Sequence, residues 1–167
     1  MIEPVLLTMV GAVVIAGAAY DAATLTIPNW ISLALVALFP VLALLAGLSW
    51  MEAGLHLAVG FAALVAGVAL FAGGFIGGGD AKLFAAVSLY VGAASFGTFV
   101  FAVALAGAAL ACALLALRHL AWAGLVERLK GLKHLALNGA GIPYGIAIAA
   151  GGLIVLPATR LFIASPH

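Results

Sequence analysis

The chain has 167 residues, 68% of them hydrophobic and only 7% charged, with a formal net charge of +1 and a mean hydropathy of +1.38. A soluble domain of this length needs far more polar surface, so composition alone reads as an integral membrane protein. So small a net charge gives no large electrostatic field, and nucleic acid is not an expected partner. The single cysteine, Cys112, has no partner in the chain for a disulfide or a CxxC metal site.

The apolar segments are long helical runs rather than ten-residue alternating strands, which points away from an outer-membrane barrel. A membrane-crossing helix needs about 20 apolar residues. In chain order the runs are Ile2 to Tyr20, Asn29 to Leu48, Ala53 to Gly74, a short one from Asp80 to Val91, a pause at Gly92 to Ser95, then Phe96 to Leu117 and finally Pro143 to about Ile163. The expectation is an all-α membrane protein, a bundle of six transmembrane helices in a single membrane domain covering 1–167. The first run has no basic region before it and leads into a polar stretch, so it reads as a retained helix and not a cleaved signal peptide. Pro28 and Pro143 suit the first turn of a helix and Thr26 suits a cap for the second span. Pro40 and Pro157 predict a kink or an early end.

Basic residues orient the bundle. Arg118, Arg128, Lys130 and Lys133 lie between the fifth and sixth runs, Lys82 follows a glycine-rich turn, and only Arg160 falls towards the other face. Positive residues mark the cytoplasmic side, so both termini are expected outside, together with Glu3 and Glu52. Within about 118–142, Leu125, Leu129, Leu132 and Ala136 recur at helical spacing, with Glu127, Lys130 and His134 on another face. That pattern predicts an amphipathic cytoplasmic loop lying on the membrane surface, well placed to act as a gate for a substrate helix.

Two acids remain, and they are the informative ones. Asp80 follows the glycines of GGFIGGGDAK, and Asp21 closes the first run in YDAATLTIPN. An acid beside hydrocarbon is a functional-site candidate. Two crossings separate Asp21 from Asp80, so both fall at the same edge of the membrane whatever the absolute orientation. Two carboxylates held close share a proton more readily than both ionise, and such a pair can do acid–base work on a peptide bond. Simpler roles stand beside this one. Asp80 also suits the first turn of a helix, the glycines also suit close helix packing, and Lys82 suits snorkelling to lipid phosphates. The histidines form no HExxH, and no serine has a histidine base in a recognisable setting, so neither a zinc nor a serine protease is expected.

Asp21 followed by Ile27-Pro28-Asn29, then Gly77-Gly78-Gly79-Asp80-Ala81-Lys82-Leu83, then Pro143-Tyr144-Gly145 opening the last run, resembles the type IV prepilin peptidase family, nearest to the small members that serve Flp-type (Tad) pili. The resemblance extends over most of the chain in order. It implies an aspartic protease of the bacterial cytoplasmic (inner) membrane, with Asp21 and Asp80 as the catalytic pair, that removes the basic leader from prepilin or pseudopilin precursors on the cytoplasmic side. Gly77, Gly78, Gly79, Lys82, Pro28, Asn29, Pro143, Tyr144 and Gly145 are the candidate supporting or substrate-binding residues. Two departures stand out. Residues 22–26 carry no basic side chain, and the cytoplasmic insert with paired CxxC motifs is absent, so no zinc or other cofactor is expected. The expected partners are the prepilin precursor and the lipid bilayer. The alternative from another class is a small proton- or cation-conducting transporter using the two carboxylates, which would more often place its acids near the midplane.

Overall fold

The computed structural model describes residues 3–122 and 141–162. These form α1 (Glu3–Thr24), α2 (Asn29–Leu45), α3 (Trp50–Ala72), α4 (Gly78–Trp122) and α5 (Tyr144–Val155), followed by a short 3-10 turn, Leu156–Ala158. No strand occurs among the described residues. Three helices, α1, α3 and α4, are long and apolar enough to cross a membrane; α2 and α5 are apolar but shorter. The predicted surface helix falls largely within 123–140, outside the described residues.

The centre of the bundle is the first part of α4. At 45 residues, α4 would run roughly 67 Å if straight, more than twice the hydrocarbon thickness. It is broken instead at Gly92, where φ is 68° and ψ 176°, within the predicted pause. Residues 81–92 are buried apart from Lys82 and Phe84. This short segment therefore lies among its neighbours rather than against lipid, with α2 and α3 on its flanks and α5 packed along it.

Breaking a helix frees carbonyls that need donors. The Nδ1–H of His56, buried on α3, donates to the Leu89 carbonyl, the acceptor that the break at Gly92 would otherwise leave open. The imidazole stacks on Phe39 at 5.9 Å and lies against Gly92, where a Cβ would fall 2.5 Å from its ring. On the flank, the Tyr90 hydroxyl donates to the Leu35 carbonyl over 2.6 Å. That carbonyl lies beside the stretch of α2 disturbed by Pro40, which α2 accommodates, continuing to Leu45.

Small residues let the helices approach closely, as membrane bundles require. On α3 the buried residues His56, Gly60, Ala63 and Gly67 form one stripe, and a Cβ on Gly67 would stand 3.0 Å from the Ala81 side chain. On α5, Gly151 admits Val103 and Gly152 admits Val87. That helix consequently fits between α1 and both parts of α4. It ends at Val155, and the 3-10 turn carries Pro157, the early end its position predicts.

The opposite end of the bundle from Asp80 is tied by ordinary polar chemistry. Ser49 and Glu52 form a reciprocal capping box at the start of α3, and Glu52 pairs with Arg160 at 3.3 Å. Glu52 thus has structural work that its sequence position alone does not reveal. The expected cap at Thr26 is not made. Pro28 itself occupies the N-cap position of α2 with no side-chain cap, and the Thr26 hydroxyl bonds to that of Thr24 at 2.8 Å. Pro143 likewise stands one residue before α5 rather than inside it.

Gly92→Ala is expected to cost about 1–3 kcal/mol from backbone conformation alone, with the His56 contact adding to it. Gly97→Ala, within the same α4, adds a methyl that meets nothing within 4 Å and is expected to be neutral or to stabilise by about 0.5–1 kcal/mol. Thermal unfolding in detergent, followed by circular dichroism, checks both.

Candidate functional site

Helical periodicity turns Asp21 inward. On α1 the buried positions are Leu6, Val10, Gly11, Val14, Gly17 and Asp21, a stripe mostly at spacings of three and four that ends on the acid. Asp80 begins a similar stripe on α4 with Leu83, Val87 and Tyr90. Both acids therefore continue an apolar face into the space where α1 ends and α4 begins. Asp21 is only 4% exposed; Asp80 is half-buried.

A buried carboxylate needs donors, since leaving one unpaired is costly. Asp21 finds its donor far away in sequence: the backbone N–H of Gly145, in the first turn of α5, donates to Oδ2 over 2.6 Å. Hydrogen bonds from helix N-termini to carboxylates are short and strong, because the donor belongs to the positive end of the helix. The same amide lies near Asp80, and the two carboxylates are close enough to interact electrostatically.

Asp80 is held from its own side. Its Oδ2 accepts the backbone N–H of Gly77 over 3.2 Å, reaching back to the residue before α4 as the acid of a capping box does. Its Oδ1 is buried and has no hydrogen-bond partner among the described residues. One oxygen is thus spent on the helix start, and the other is enclosed without a donor among the described residues.

Both carboxylates line a single cavity of about 280 Å³, walled by Leu25, Thr26, Ile27 and the glycines 77–79. Two features of the polypeptide create it. Leu25 turns the chain sharply after α1 with a φ of 54°, a left-handed conformation that costs a leucine about 1–2 kcal/mol, and its N–H closes the last turn on the Asp21 carbonyl. Ile27 is then buried between two glycines from distant segments. A Cβ on Gly79 would come within 3.0 Å of its Cβ, and one on Gly145 within 3.0 Å of its Cδ1. Ile27 is accordingly the wedge that spaces the glycine turn from the start of α5.

The glycines themselves are sterically required beside the acids. A Cβ on Gly145 would stand 2.8 Å from Asp21 Oδ2 and 2.9 Å from Asp21 Cβ, and one on Gly77 would stand 2.8 Å from Asp80 Oδ2. The other residues singled out in the sequence lie outside this cavity. Lys82 Nζ donates to Asn29 Oδ1 over 2.9 Å, joining α4 to the start of α2 on the far side of Ile27. Tyr144 packs its ring on Gly107, and Pro28 and Pro143 serve as the residues that start α2 and α5. Leu25, Thr26 and Ile27 as cavity walls were not among the candidates, apart from the motif that contains Ile27. A left-handed leucine leaves no mark in sequence. No three His, Cys, Asp or Glu side chains meet as a metal site would need among the described residues.

Ile27→Ala removes the wedge and is expected to destabilise the fold by about 2–5 kcal/mol, whereas Ile27→Val costs about 0.5–1.5 kcal/mol. Unfolding of the two variants in detergent, compared with the native chain, measures the difference.

No curated protein and no solved structure gives a significant match to the chain. A family model, that of the type IV leader peptidase family, matches residues 8–112. The matched stretch is well over half of the 167 residues and contains Asp21, Ile27 to Asn29, Gly77 to Asp80 and Lys82. Gly145, the donor to Asp21, lies beyond it. With three helices apolar enough to cross a membrane, two carboxylates in one cavity and a family match that includes both, the chain belongs to the type IV leader peptidase family.

Proposed function

We propose that this protein is an aspartic endopeptidase of the bacterial cytoplasmic membrane that removes the leader from prepilin or pseudopilin precursors of the Flp type, with Asp21 and Asp80 as the catalytic pair. The observation that carries this reading is the shared cavity, in which one carboxylate is braced by the Gly145 amide and the other has a buried oxygen with no partner among the described residues. Family membership supplies the leader-peptide class of substrate. In this reading the chain crosses the membrane six times as a single domain, α4 contributing two crossings joined at Gly92, and the carboxylates face the cytoplasm. Location of both acids at one end of the bundle favours a protease over an ion path, which needs polar groups through the midplane.

The chemistry needs one proton on the pair. A water molecule held between the acids loses a proton to the ionised carboxylate as its oxygen attacks the scissile carbonyl carbon. The protonated carboxyl gives its proton to the carbonyl oxygen, and a neutral gem-diol results. On collapse, one hydroxyl proton returns to a carboxylate, the C–N bond breaks, and the other carboxyl protonates the leaving nitrogen. The pair ends with the single proton it began with. Gly145 keeps the Asp21 carboxylate oriented throughout, and the bare backbone of Gly77 to Gly79 leaves room for an extended peptide beside Asp80.

The decisive measurement is leader removal from a co-expressed Flp-type prepilin, read by intact mass. Asp21→Asn and Asp80→Asn are each expected to lower the cleavage rate by about 10²–10⁴-fold or more while the protein still inserts; undiminished cleavage in both variants overturns the assignment. Gly145→Ala crowds Asp21, and because a misplacement of about 1 Å costs on the order of a hundredfold in rate, kcat is expected to fall by that factor with little change in KM. Kinetics on the purified variant test this directly.

A further inference from the structure

The helices α2 and α3 follow one another in the chain, yet beyond the stack of His56 on Phe39 they touch little; each packs mainly on α4. Between them lie two apolar cavities, of about 520 Å³ towards Asn29 and Lys82 and about 680 Å³ towards Ser49 and Trp50. Val36 and Leu57 line both, so the two cavities adjoin at these side chains and together make up a trough. Along α2 it extends from Asn29 to Leu44, about 23 Å at the rise of an α-helix and most of the hydrocarbon thickness of about 30 Å.

Three observations select its occupant. Ala85 and Ala86 form part of the floor, and small residues of this kind admit the close approach of another helix backbone. The walls are apolar and open to the bilayer, with Val36 and Leu57 each about half exposed. The trough also begins between the same two segments that enclose the carboxylates. Its mouth is the Asn29–Lys82 pair, while the acid cavity lies between residues 26–27 and 77–80. Asn29 and Lys82 at this mouth each lie two residues along the chain from a wall of the acid cavity, Ile27 and Asp80.

Resting on the protease reading above, we propose that the trough between α2 and α3 seats the apolar membrane helix of the substrate, and that the Asn29–Lys82 bridge marks where the substrate chain leaves hydrocarbon and turns towards the two aspartates. The trough then sets which bond is cut, by fixing the distance from the start of the substrate's helix to Asp80.

The test uses the full chain in phosphatidylethanolamine–phosphatidylglycerol vesicles, with an Flp-type prepilin that keeps its leader and apolar helix. A photoreactive benzoylphenylalanine is placed at Val36 or at Leu57 in the Asp80→Asn variant, so that bound substrate is not consumed. The expected product is an adduct of the mass of the chain plus prepilin. In the otherwise native chain, Val36→Trp and Leu57→Trp fill the trough and are expected to raise KM at least about tenfold, a loss of about 1.4 kcal/mol in binding, with kcat unchanged. Phe101→Trp, on an exposed face of α4, is expected to leave both constants as they are. Adducts to phospholipid or to a second copy of the chain in place of prepilin, or a native KM in both tryptophan variants, overturn the trough as the substrate's seat while the protease reading stands. A native chain that leaves the prepilin uncut overturns the protease reading, and the trough proposal with it.

Discussion

A carboxylate cannot be buried among apolar helices without a donor, and the bond from the Gly145 amide to Asp21 meets that requirement. Much of the site follows from it. The donor is a main-chain N–H at the start of α5, so α5 must begin beside the end of α1. A side chain at 145 would occupy the space of the Asp21 carboxylate, so the residue is glycine. Neither partner is fixed locally, since 124 residues separate them. The bond therefore depends on the whole bundle, and the site is a product of tertiary packing rather than of either segment.

Asp80 illustrates the complementary solution. Its support is local, the Gly77 amide three residues before it, and the arrangement uses the same geometry by which acids commonly cap helices. A capping role and a chemical role are compatible here because a carboxylate has two oxygens and the cap engages one of them. The pair thus combines an acid braced across the bundle with an acid braced by its own helix. Ile27 sets their relation by filling the space between the glycine turn and α5. A β-branched residue suits this, because its side chain has few alternative rotamers into which the spacing could relax.

Around this site the bundle is packed unevenly. Close approach through glycine and alanine joins α3 and α5 to α4, and the carbonyl exposed by the break at Gly92 is satisfied by His56. Between α2 and α3 such contact is missing, and an apolar trough takes its place. In a soluble protein that opening would expose apolar surface to water; in a bilayer it carries no such penalty, because lipid tails are as apolar as leucine. A membrane protein can therefore keep an open slot for an apolar helix at little cost to its own stability.

Composition and periodicity by themselves determined the membrane class, the helical character, the pause at Gly92 and the early end before Pro157, because each follows from local chemistry: hydropathy, the missing amide of proline, the permissiveness of glycine. The two aspartates were legible for a similar reason, as acids stand out where nearly everything else is apolar, and the parity of crossings placed them at one edge. What the residue string did not disclose was which way side chains face. Helices that are apolar all round have little amphipathic signal, so the stripe from Leu6 to Asp21 is visible only once burial is known. The strained turn at Leu25, the wedge of Ile27 between Gly79 and Gly145, the pairing of Lys82 with Asn29 and the Gly145 donor were decided by the tertiary structure alone. Each joins segments whose proximity depends on packing, and no local preference of the residues involved encodes that proximity.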